Sequence, residues 1–143
     1  MLHIFRHTLL LLMVVLTACQ SSTPQQSEAR QKDEAKAVTI LAKARTALYQ
    51  KRYNDAKKYL RSLRSTCPLA LNGRENGILL MDSIEIASTA DRLRVADSLV
   101  QDEMQRRGNV NAQTQAHFDE LCQQAKFYHR KLQHDKDQRK NHD

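Results

Sequence analysis

The stretch from Arg74 to Arg107 constrains this chain most. No proline falls inside it, and apolar residues recur at helical spacing through Ile78, Leu79, Met81, Ile84, Ile86, Ala90, Leu93, Val95, Ala96, Leu99, Val100 and Met104. Asn72-Gly73-Arg74-Glu75 offers a capping arrangement at its start, with Glu three residues after Asn. Arg106-Arg107-Gly108 offers a basic last turn and a glycine stop. The implied helix holds about 34 residues and is ~50 Å long. Such a helix needs neighbours to cover its apolar face. A sheet has little to build on, because the 143 residues include only 3 glycines and 2 prolines to make turns. The expected fold class is all-α.

Leu79, Ile86, Leu93 and Val100 repeat every seven residues along this helix. After the short Gly108-Asn109-Val110 turn, Asn111 can cap a further helix. Its Phe118, Leu121, Ala125, Tyr128 and Leu132 follow the alternating three- and four-residue spacing of a coiled-coil seam. So short a turn makes the two helices antiparallel neighbours over 72–132. Ser83 and Asp97 fall on or beside the seam and make it imperfect, so the pair could also meet a second copy. No apolar residue follows Leu132, so 133–143 is expected to be a polar tail, fraying or disordered.

Before the long helix, Val38, Leu41, Ala42, Ala44, Arg45 and Leu48 place small and apolar residues on one stripe. Tyr53, Ala56, Leu60 and Leu63 form a second stripe. A break is expected at Lys51-Arg52-Tyr53, and Cys67-Pro68 ends the second helix. The segment 38–68 resembles one tetratricopeptide repeat: Ala44 at the close helix contact, Tyr53-Asn54-Asp55-Ala56 opening the second helix, then Leu60, Leu63 and Pro68. It departs from that family at Ile40, often aromatic there, and at Lys51, where the turn usually holds glycine. One such unit cannot bury its own face and must stack on a neighbour, here the long helix.

The N-terminus resembles a bacterial lipoprotein leader. Arg6 lies in a short basic start, Thr8 to Leu16 is almost wholly apolar, and Leu16-Thr17-Ala18-Cys19 matches a lipobox. The run is too short to span a bilayer, which takes ~20 apolar residues. The resemblance implies removal of residues 1–18, lipidation of Cys19 and export. Gln20 after the cysteine implies outer-membrane sorting. Residues 19–27 read as a flexible tether, because they contain nothing that could build a core. The helical domain then covers 28–132, although Thr23-Pro24 also suits an earlier helix start. Met81-Asp82-Ser83-Ile84-Glu85 resembles the entry to the long helix in small exported helical lipoproteins of Gram-negative bacteria.

The formal charge is +7, and the window from Lys43 to Arg64 accounts for all of it, with eight basic residues opposed only by Asp55. Lys51, Arg52, Lys57, Lys58, Arg61 and Arg64 make a basic face suited to an acidic surface. Nucleic acid is not an expected partner, because the leader implies export. Cys67 and Cys122 lie in a disulfide-permissive setting, but an intact long helix would hold them roughly 35 Å apart, against a Cα separation of ~4.4–6.8 Å for a bridge. Free thiols or an intermolecular bridge are the alternatives. His117, His129, His134 and His142 lack metal-ligand spacing, so no cofactor is expected. Asp82 and Glu85 are one turn apart and read as a solvated edge rather than an acid–base pair. No catalytic constellation is visible.

The expectation is therefore a membrane-anchored helical lipoprotein acting as a protein-interaction or scaffold module, with an envelope protein or a second copy as partner. The alternative is an electrostatic binder of anionic envelope polymer or lipid through the basic hairpin.

Overall fold

A computed structural model describes residues 27–141. The leader, Cys19 and the possible start at Thr23-Pro24 lie outside the described residues. Every regular element among the described residues is a helix: α1 (Glu28–Tyr49), α2 (Tyr53–Thr66), α3 (Leu71–Arg107) and α4 (Ala112–Lys140). The core is built by α1, α2 and the first half of α3, around Leu41, Ala44, Leu60, Leu63 and Ile84.

Ser27 caps α1, its hydroxyl accepting from Arg30 N at 3.3 Å. The helix stops at Tyr49, and Lys51 takes the left-handed conformation, φ 57°. This turns the chain so that Arg52 N donates to Ala47 O at 2.8 Å, and α2 begins at once. The buried face of α1 is Ala37, Leu41, Ala44 and Ala47, while Val38 is 64% exposed. The stripe is thus rotated from the one through Val38. The cause is the close approach of α3: a Cβ placed on Gly73 would collide with Cβ of Ala37. Only a small-residue face admits a backbone at that distance.

The start of α3 also departs from expectation. It begins at Leu71, with Ala70 at the cap position and no side-chain cap of its own. Asn72 is helical and caps nothing. Two acids of α1 serve instead. Asp33 accepts from Leu69 N at 3.1 Å, and the two oxygens of Glu34 accept from Asn72 N at 3.0 Å and Gly73 N at 2.9 Å. Carboxylates suit this place because they meet both the unpaired amides and the positive end of the helix dipole.

Helices α3 and α4 face each other along a seam in which residue numbers rise on one as they fall on the other. Glu103 accepts from Asn111 N and the Thr114 hydroxyl beside the turn. Farther along, Arg92 meets Gln124, Lys131 meets Asp82, and Arg139 meets Asn76. The seam residues of α3 are Leu79, Asp82, Ile86, Thr89, Leu93, Ala96, Val100 and Glu103, all buried or half-buried. Ser83 is not the interruption; its hydroxyl donates to Leu79 O of its own helix at 2.9 Å. The buried polar seam residues are Asp82 and Thr89.

Residues 133–140 do not form a loose tail. The helix runs on to Lys140, and the seam spacing continues past Leu132 through Asp135 and Arg139. These two are held by polar partners, Lys131 for Asp135 and Asn76 for Arg139. An apolar count misses a seam that continues in hydrogen bonds. Helix α4 therefore covers the first half of α3 as well as the extension.

Candidate functional site

Both α2 and α4 pack on α3, but not on each other. A groove of about 480 Å³ remains between them, with α3 as its floor. Gly77, Ile78 and Met81 form the floor, Leu60 and Leu63 one wall, and Phe127 and Tyr128 the other. Ile78 is 41% and Phe127 54% exposed, so this apolar surface is open to solvent. Gly77 lets α2 pack closely on this floor, since a Cβ there would sit 2.8 Å from Cδ2 of Leu63.

Arg61 and Arg64 of α2 and Arg74 of α3 stand on the rim. All three are exposed. The Arg74 guanidinium donates to Pro68 O at 3.2 Å. Asp82, Glu85 and Lys131 also line the groove, but their charges are engaged. Lys57 Nζ lies 2.7 Å from Glu85, and Lys131 Nζ lies 2.7 Å from both Asp82 and Asp135.

The predicted basic face therefore divides. Lys51 pairs with Asp91 at 3.0 Å, Arg52 with Asp55 at 2.6 Å, and Lys57 with Glu85. Those three are tied down. Among the described residues, Lys58, Arg61 and Arg64 form no ion pair, and they remain available to an outside anion. Arg74 and the apolar floor were not singled out from the sequence. The signal was present as Arg74, Ile78 and Met81, spaced four and three on one face of α3.

Asp82 and Glu85 are not a solvated edge. Asp82 is 2% exposed, because α4 continues far enough to cover it. Burial raises its carboxyl above the usual range, Lys131 pulls it back down, and Asp135 adds to the rise. Asp135 is held below the usual range chiefly by its bond from Lys131. Burial works against the Lys131 charge, but hydrogen bonds to Asp135 and Asp82 hold its ammonium above the ordinary value. Two carboxylates thus share one cation across the α3–α4 seam. A second cluster fixes α2 to α3: the Tyr53 hydroxyl donates to Asp91 at 2.6 Å. That bond, with burial, pushes the phenol up to about 12, and the same bond, helped by Lys51, lowers Asp91.

Cys67 is a buried free thiol and Cys122 a half-buried one. Among the described residues, no group of three His, Cys, Asp or Glu side chains could hold a metal ion. No described helix is long and apolar enough to cross a membrane. The arrangement is one for binding: an open apolar groove with cations at its rim. The chain matches no known protein family, curated protein or solved structure.

Proposed function

We propose that this chain is a lipid-anchored helical lipoprotein that docks a protein partner in the cell envelope, with α1 and α2 as a tetratricopeptide-like hairpin and α3 and α4 as an antiparallel pair. The open groove between α2, α3 and α4 is the observation that carries it. A folded helical body that leaves Ile78 and Phe127 exposed along one groove presents a surface suited to an apolar ligand. Cys19 supplies location: acyl chains on its thiol would hold the body at the membrane, and confinement raises the effective concentration of any partner there. Gln20 after the cysteine supports reading that membrane as the outer one.

The second possibility is electrostatic binding of an anionic polymer or lipid through the hairpin. It draws on Lys58, Arg61 and Arg64, which form no ion pair among the described residues. It is weakened by the engagement of Lys51, Arg52 and Lys57 with internal acids. Salt separates the two. Contact through the basic side chains alone fades as the Debye length shrinks from about 30 Å at 0.01 M to 8 Å at 0.15 M, whereas apolar docking persists.

The test is purification of the tagged, lipidated chain from its native envelope at physiological salt after mild cross-linking. A stoichiometric protein partner is expected. Recovery of only the chain itself with lipid and polymer would end the docking proposal. Cys19→Ser should move the protein out of the membrane fraction under a high-salt wash, and retention there would show that something other than lipid holds it.

A further inference from the structure

The groove has a shape and a charge distribution that specify its occupant. Along α3 it runs from Arg74 to Glu85, which is ~16 Å or three helical turns at 1.5 Å per residue. Helices flank it on both sides without touching, and a third floors it. A further helix laid in such a trough packs side chains between those of its neighbours as helices ordinarily do, with axes ~8–10 Å apart. The floor presents Ile78 and Met81, three residues apart, and the walls add Leu63 and Phe127.

The charge left unpaired around it is all of one sign. Arg64 and Arg74 stand at the end nearer the start of α3, with Arg139 of α4 beyond them bonded to Asn76, while Arg61, one turn of α2 from Lys57, stands farther along near Met81. None of the four pairs with an acid among the described residues. The acids that line the groove, Asp82 and Glu85, lie toward the other end and already hold Lys131 and Lys57. Unpaired guanidiniums on the rim of an apolar trough call for carboxylates on the occupant, and their planar fork suits that group. A second copy is a poor candidate, because the chain carries +7. A flat bilayer is another, because part of the apolar floor is covered, Gly77 being buried and Met81 half-buried.

Resting on the docking function proposed above, we infer that the groove between α2, α3 and α4 receives an acidic amphipathic helix of about three turns, its apolar stripe on Ile78, Met81 and Phe127 and its carboxylates on Arg61, Arg64 and Arg74. This is helix-in-groove recognition, with anchors at i, i+4 and i+7.

The probe is a stapled three-turn peptide with leucines at i, i+4 and i+7 and glutamates flanking them, labelled for fluorescence anisotropy and titrated against the full-length chain in a non-ionic detergent. The acidic peptide should bind. Its counterpart with lysine for glutamate, polyglutamate without leucines, and a scrambled version should each bind at least about tenfold more weakly. Arg61→Gln, Arg64→Gln and Arg74→Gln together should weaken the acidic peptide about tenfold, and so should Ile78→Ser with Phe127→Ser. All five positions are exposed, and thermal melts of the variants check that folding is intact. No binding, equal binding of the acidic and lysine peptides, or unchanged affinity in the arginine variant overturns the inference. Polyglutamate binding as well as the peptide overturns it in favour of a plain electrostatic surface. Tighter binding of phosphatidylglycerol vesicles through the same residues overturns it in favour of an anionic lipid. A native partner that cross-links outside the groove would sink this inference and leave the docking function standing, whereas finding no partner at all would sink that function too.

Discussion

At the scale of single residues, Lys51 shows how a turn can be made by a residue type that disfavours its conformation. The turn between α1 and α2 needs a left-handed residue, and lysine occupies it at φ 57°. That conformation costs a non-glycine residue roughly 1–2 kcal/mol. Lysine recovers part of this through Asp91, an exposed pair worth ~0.2–1 kcal/mol. Lys51→Gly should therefore stabilise the fold, by less than about 1 kcal/mol after the greater unfolded-state entropy of glycine. A urea midpoint that falls would show that the ion pair outweighs the backbone strain. The rotation of the α1 stripe away from Val38 was not legible in the sequence. Periodicity marks several adjacent stripes on an alanine-rich helix, and only the approach of Gly73 selects among them.

At the scale of elements, the long helix was legible and its anchoring was not. Its length and its stop at Gly108 follow from the absence of proline and from the basic last turn. Its start depends on Asp33 and Glu34, nearly forty residues earlier in the chain, and no local cap rule points to them. The two glycines of its first turns serve different ends. A side chain at Gly73 meets Cβ of Ala37, which cannot move without moving α1, whereas a side chain at Gly77 meets the tip of Leu63. Gly73→Ala should cost ~1–3 kcal/mol from overpacking, less up to ~1 kcal/mol gained in helix propensity. Gly77→Ala should lie within about 1 kcal/mol of neutral, since the same propensity gain offsets a rotamer shift at Leu63. Chemical denaturation of both variants tests this, and equal losses would mean that α1 and α3 are not in close backbone contact.

At the scale of the whole molecule, Asp82, Lys131 and Asp135 join the middle of α3 to the end of α4. The carboxyl of Asp82 is raised when folded, so the native state binds more protons than the unfolded chain just above the ordinary carboxylate range. Its contribution to stability is complete below that range and is lost as pH rises through the raised value. Asp135 is lowered, so its contribution is present above the ordinary range and lost as pH falls through the depressed value. Asp82→Asn removes the first effect and leaves the main cause of the second, the bond from Lys131 to Asp135. The melting temperature of the variant relative to the wild type should therefore increase from about pH 4 to pH 7. A difference that is flat, or that runs the other way, would mean that Lys131 rather than burial controls Asp82.

The amino-acid sequence by itself determined that the chain is helical, where the long helix ends, which residues of Phe118 to Leu132 face a neighbour, and where the basic residues concentrate. Those properties are local, set by backbone propensity, capping chemistry and spacing along one helix. Only the tertiary structure decided that α4 runs on past Leu132 to Lys140, that Asp82 is buried, that Lys51, Arg52 and Lys57 form ion pairs while Arg61 and Arg64 form none among the described residues, and that α2 and α4 stand apart over Ile78. Each of these depends on which distant side chain arrives opposite. A hydrogen-bonded seam, an ion pair across helices and a gap between two of them have no period of their own in the chain.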